Sequence, residues 1–165
     1  MHNETSEQFR ALDTEQDWPF FDEGYPIPPE KKERICPLTK SAAESLWCQE
    51  VSNISVERHL MLLPIHHWVK PEQTGPNWLT EWDDDVAIGV QQFLRSHFQL
   101  LSNETVYFML MREHAYSIPI DVFTEFWRAF LALDDEGPLL LHPTSGRYAY
   151  FGPNGNLQCG QRRSM

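Results

Sequence analysis

Seven consecutive residues, Thr105-Val-Tyr-Phe-Met-Leu-Met111, most constrain what this chain can fold into. They are β-branched, aromatic or long and apolar. Ser102-Asn103 precedes them and charged Arg112-Glu113-His114 comes after, the punctuation expected of a buried strand. Alternation puts Val106, Phe108 and Leu110 on one face and Tyr107, Met109 and Met111 on the other. Both faces are apolar, so the strand belongs in the middle of a sheet that is covered on two sides.

Beyond this strand the chain supplies a helix and more strands. Pro119 ends a ladder, and Asp121 is placed to open a helix, with Glu125 adding charge near its positive end. Val122, Phe123, Phe126, Trp127, Phe130, Leu131 and Leu133 recur at helical spacing, with Thr124, Glu125 and Arg128 turned away. Asp134-Asp-Glu-Gly-Pro138 stops this helix, because acids sit badly at its negative end and Gly137 permits a left-handed cap. Leu139–Leu141, Arg147–Phe151 and Leu157–Gly160 then read as strands, the last two joined by a hairpin at Pro153-Asn-Gly155. The expected fold is a single α+β domain over 1–165, with an antiparallel sheet of about four to five strands, mostly from the C-terminal half, and helices packed on it. Residues 1–16 read as a flexible lead or a short helix, and 161–165 as a frayed end.

The N-terminal half is less regular. Asp17-Trp-Pro-Phe-Phe-Asp22 sets aromatics between acids and reads as an edge strand or extended arm, a cover for the Tyr107/Met109/Met111 face. Tyr25-Pro-Ile-Pro-Pro29 reads as a proline-stiffened connector in preference to a ligand for a proline-reading domain, and Glu30–Arg34 as a solvated charge run or a helical turn. Thr39 or Ser41 opens a helix to about Glu50, with Ser41-Ala-Ala-Glu44 spaced as a capping box. Ser55–Leu62 reads as a further helix. Lys70–Trp82 reads as a long connection. Asp83-Asp-Asp85 then opens a helix through about Phe98.

Charge and cysteine usage narrow the partners. Thirteen basic residues face 24 acidic ones, a formal charge of −11 whose long-range field disfavours nucleic acid and anionic membranes and suits a basic protein partner. Cys36, Cys48 and Cys159 have no C-x-x-C spacing, so neither a disulfide framework nor a structural metal is expected, and a reducing cytoplasm fits. The start of the chain has no basic, apolar leader, and Leu60–Ile65 is far short of a membrane span. A monomer or homodimer is expected.

No motif assigns a chemistry. Adjacent His66 and His67 lack chelating spacing, no serine sits in G-x-S-x-G, and Gly152-Pro-Asn-Gly155 lacks the lysine of a phosphate loop. No cofactor or metal is implied. Asp83–Asp85 and Asp134–Glu136 are explained by helix ends. Arg112, Glu113 and His114 stand at the end of the central strand, where loops hold functional groups. Together with Arg147, Tyr148 and Tyr150 from the neighbouring hairpin they are the candidate lining of a polar pocket with an aromatic floor. The expected function is that of a non-enzymatic acidic binding protein, either an adaptor or a neutraliser of a basic partner. The alternative is a small-molecule enzyme using Glu113 and His114 as acid and base.

Several stretches carry a resemblance: Trp18-Pro-Phe-Phe21, Ile35-Cys-Pro-Leu38 leading to Leu46-Trp47, Phe126-Trp127 through Leu133-Asp-Asp-Glu-Gly-Pro-Leu-Leu-Leu141, and Phe151-Gly-Pro-Asn-Gly155. On these the chain resembles a family of small bacterial proteins known only as a conserved domain of unknown function. The resemblance implies a cytoplasmic bacterial protein and brings no activity, cofactor or site with it.

Overall fold

The structure is a computed structural model that describes residues 8–51, 69–98, 104–134 and 137–162. The expected helix over 55–62 and the His66-His67 pair lie outside the described residues. Thr105–Met111 forms strand β3 and stands mid-sheet, as its two apolar faces require. On either side lie β4 (His114–Pro119) and β5 (Leu139–Leu141). The other strands are β1 (Cys36–Pro37), β2 (Val69–Thr74), β6 (Arg147–Phe151) and β7 (Leu157–Arg162). Their order is β1-β4-β3-β5-β6-β7-β2, and each neighbouring pair runs antiparallel.

The sheet therefore has seven strands among the described residues, not four to five. Two of the additional strands are obscured in the sequence for definite reasons. β4 follows β3 through a turn at Arg112-Glu113 that has no glycine or asparagine, and a bulge sets Leu110 and Met111 of β3 against His114. β2 contains Pro71, tolerable because the strand is at the sheet edge and its register shifts between Pro71 and Gln73. The stretch that reads as a loose connection is thus an edge strand, followed by a helix, α3 (Trp78–Asp83). β7 also runs on to Arg162, so the chain is paired rather than frayed there.

The helices are α1 (Pro29–Lys32), α2 (Lys40–Glu50), α3, α4 (Ile88–Phe98), α5 (Ile120–Glu125) and α6 (Trp127–Leu131). Thr39, not the Ser41 box, caps α2: its hydroxyl accepts from the Ala42 amide. Asp83–Asp85 ends α3 and turns the chain instead of opening α4, and Asp85 takes the left-handed conformation that aspartate tolerates, with φ 58°. The helix after Pro119 starts at Ile120, and Asp121 pairs with Arg34 rather than capping. Phe126 leaves helical geometry and splits the segment into α5 and α6, a change of phase that also buries Thr124.

Two cores result, one on each face of the sheet. Val106, Phe108 and Leu110 pack with Phe123, Trp127 and Phe130 on one side. Met109 and Tyr107 meet Ala43 and Trp47 of α2 on the other, with Leu139, Leu141, Tyr148 and Tyr150. The aromatic arm is not the cover of this second face: Trp18–Phe21 forms a 3-10 turn, and Phe20 enters the first core against Tyr116 and Phe130. A turn suits Pro19 at its start, which a ladder would not. Phe9 bridges to Leu38 and the Arg10 amide bonds Pro37, so the leading segment is tied down from Phe9 onward.

Trp127 is fully buried in the first core and donates its ring N–H to the Ala87 carbonyl. Trp127→Ala is expected to lower stability by about 3 to 5 kcal/mol through lost burial and a residual cavity, read from denaturant unfolding. A loss under about 1 kcal/mol would contradict this packing.

Candidate functional site

Two hollows open beside Met111, at the end of β3. The larger, about 500 Å³, is an aromatic cleft between the 3-10 turn, α3 and the end of α6. Trp18, Tyr25, Trp78 and Trp82 form its aromatic walls, with Met111 and Asp134 completing them. Trp18 is 44% exposed, whereas Trp78 is fully buried and donates to the Gly152 carbonyl at 2.9 Å. Tyr25 links the walls, its ring centroid 6.4 Å from that of Trp18 and 6.1 Å from that of Trp82. Behind them the Arg128 guanidinium lies 5.9 Å from the Tyr25 ring and 5.7 Å from the Trp82 ring, within reach of a cation–π interaction. Asp85 holds Arg128 there at 2.5 Å, and Trp82 and Arg128 exchange side-chain to carbonyl bonds at 3.0 Å each.

The smaller hollow, about 370 Å³, is lined by Arg10, Leu38, Lys40, Met111, Glu113 and His114, with Gln16 at its side. Beneath it runs a chain of polar side chains. Arg10 donates twice to the fully buried Asp17 carboxylate, at 2.7 and 2.9 Å, and the Asp13 amide donates at 2.8 Å. The buried Tyr116 hydroxyl donates to Asp17 at 2.5 Å, and His114 Nε2 lies 2.8 Å from that hydroxyl. Burial pushes the Asp17 carboxyl up, but hydrogen bonds from Arg10 and Tyr116 and from the Asp13 amide outweigh it and hold the group below its ordinary range. Burial, then the bond to Asp17, pushes the Tyr116 hydroxyl far up, so it stays protonated. Burial and then the Arg10 charge hold the His114 imidazole below its ordinary value.

The residues singled out in the sequence do not all meet. Arg112, Glu113 and His114 are together at the β3–β4 turn. Arg112 pairs with Glu44 of α2 at 2.5 Å, and Glu113 pairs with exposed Lys40 at 3.1 Å. Tyr148 and Tyr150 are buried in the core beneath α2, with both hydroxyls pushed up by burial, so they pave no pocket floor. Arg147 is at the other end of the sheet: the row from Tyr107 through Leu141 to Tyr148 lies four residues from Met111, about 13 Å, and Arg147 lies beyond it. Its guanidinium donates to the His97 carbonyl at 2.7 Å on the opposite face from the two tyrosines.

With this geometry in hand, comparison places the chain. A protein family described as "Protein of unknown function (DUF2947)" matches residues 9–160. The chain belongs to DUF2947. That match carries through both hollows of this DUF2947 protein, from Arg10 to the β6–β7 hairpin. No curated protein and no solved structure matches it. Among its described residues, no three His, Cys, Asp or Glu side chains are grouped to hold a metal ion, and no helix is long and apolar enough to cross a membrane.

Sequence reading of this DUF2947 chain missed Arg10, Asp17 and Tyr116 as partners because Asp17 and Tyr116 are 99 residues apart. The one local signal was Asp17-Trp18 at the head of an aromatic run between acids, where the carboxylate is fully buried and the exposed ring lines the aromatic cleft.

The polar chain sets an acid dependence. His114 is depressed below 6.5, so below that value the unfolded chain takes up a proton that the fold resists; this part of the stability is lost as pH falls from about 6.5. Asp17 is depressed below 3.8, so its contribution is full above about 4 and is lost as pH falls through its folded value. Asp17→Asn is expected to lower stability at pH 7 by about 2 kcal/mol or more, and to flatten the acid dependence below about pH 4. Identical acid slopes in denaturant titrations of the two proteins would contradict the assignment.

Proposed function

We infer that this DUF2947 protein is a non-enzymatic, acidic binding protein of the bacterial cytoplasm whose aromatic cleft holds a cationic segment of a basic protein partner. The observation that carries this reading is the cleft of Trp18, Tyr25 and Trp82 with Asp134 beside them. Exposed acids flank each aromatic wall: Asp22 and Glu23 stand between Trp18 and Tyr25, and Asp83 and Asp84 follow Trp82. Rings supply negative faces and the acids supply the field, a combination suited to arginine and lysine side chains. Arg128 packed on Tyr25 and Trp82 supports the choice, since these two rings already take a guanidinium from the chain itself. The net charge of −11 favours encounter with such a partner and disfavours nucleic acid or an anionic membrane. Cysteines Cys36, Cys48 and Cys159 are all free thiols, which accords with a reducing compartment.

The reading is tested with an arginine-rich peptide and a glutamate-rich peptide of equal length, titrated while tryptophan fluorescence is followed. The arginine peptide is expected to bind, more weakly as salt rises, and Trp18→Ala to weaken it by about tenfold or more. Trp18 is a suitable target because its exposure keeps the fold out of the result. Absence of binding at low salt, or binding indifferent to Trp18, would rule the cleft out as the site.

A further inference from the structure

We propose that the hollow beside His114 binds a free α-amino acid with an apolar side chain. The hydrogen bonds beneath the hollow fix where the protons lie. Asp17 accepts two bonds from Arg10 and one from an amide, so it is a carboxylate and an acceptor only. Tyr116 must therefore give its single hydroxyl proton to Asp17, at 2.5 Å. The Tyr116 oxygen is left to accept, and His114 Nε2, 2.8 Å away, carries the proton that it accepts. In a neutral imidazole this leaves the lone pair on Nδ1. Burial and the Arg10 charge keep the ring neutral.

Fastening the leading segment to the sheet requires only Arg10, Asp17 and Tyr116. Extending the chain to His114 does something more, for it sets the tautomer of a ring that lines a hollow. The rest of the lining has the complement of a zwitterion. Arg10 and Lys40 are cations, Glu113 is a carboxylate, and Leu38 and Met111 are apolar. Arg10 has five N–H donors, and its bonds to Asp17, the Ala11 carbonyl and Tyr116 do not use them all. The Lys40–Glu113 pair is exposed on both sides, so it is weak and exchanges readily for a ligand's charges. A bound amino acid places its carboxylate toward Arg10 and Lys40 and its ammonium between Glu113 and His114 Nδ1. Its side chain then lies on Leu38 and Met111. A volume of about 370 Å³ is on the scale of small-ligand sites. This site uses residues distinct from those of the aromatic cleft, Met111 alone being common to both.

The test uses the full chain labelled with 15N and follows the His114 ring nitrogens by NMR. L-Leucine is expected to shift them with a Kd in the millimolar range, as suits so small a ligand. N-acetyl-leucine, which lacks the ammonium, and leucine methyl ester, which lacks the carboxylate, are expected to bind about tenfold more weakly or worse. Unmoved His114 signals with leucine, or blocked forms that bind equally well, overturn the proposal. Tyr116 is a positioning residue here, and Tyr116→Phe keeps its ring in the core. In that variant the ring-nitrogen shifts are expected to report a mixture of tautomers and leucine to bind more weakly. An unchanged tautomer and affinity would overturn the role given to the chain from Asp17 to His114.

Discussion

Burial of β3 on both faces is the constraint on which the rest of this fold depends. A strand with apolar residues on both faces must be covered twice, and the chain has two sources of cover. The α5–α6 segment and α4 lie on the Val106/Phe108/Leu110 side, and α2 lies on the Met109 side. Neighbouring β4 and β5 satisfy the β3 backbone, and the sheet grows outward from there until it reaches strands that stop it. β1 has only two residues, one of them a proline, and β2 carries Pro71 and a bulge. Both are poor templates for a further strand, which guards the edges against pairing with another chain.

The Met111 end of β3 is where this packing leaves room. A bulge turns the strand there, and the 3-10 turn before Asp22 comes in from the N-terminal side. Asp17 and Trp18 are adjacent in sequence but serve opposite purposes. Asp17 is sunk beneath the sheet end, with Arg10, Asp13 and Tyr116 meeting its charge; Trp18 stands out over the cleft. A buried carboxylate is tolerable only with such a full set of donors. Satisfying it fastens the turn, and the fastened turn positions one wall of the aromatic cleft.

The tryptophans divide along the same line. Trp47 and Trp127 are fully buried in the cores, Trp78 is fully buried yet backs the cleft, and Trp82 and Trp18 are progressively more open along it. Aromatic content alone therefore does not separate core from cleft in this chain. Neighbouring acid does so better: Trp18 follows Asp17 and Trp82 stands between Glu81 and Asp83, whereas no acid adjoins Trp47, Trp78 or Trp127.

The central strand, its two faces, α2, the strands after Gly137 and the hairpin at Pro153-Asn-Gly155 were all legible, because each depends on residues close together in the chain. Where neighbours carry opposing signals, local patterns mislead: Pro71 hid an edge strand, a turn without glycine hid β4, and the acids at 83–85 were assigned to the wrong helix. The candidate site was legible only in part. Glu113 and His114 do line a hollow, yet the partners that orient His114 come from residues 10–17 and 116, and Arg147 is held at the far end of the sheet. Local periodicity and turn chemistry are written into short stretches of sequence. Which distant carboxylate meets which hydroxyl is decided only when a seven-strand register brings both to one end of β3, and no short stretch contains that register.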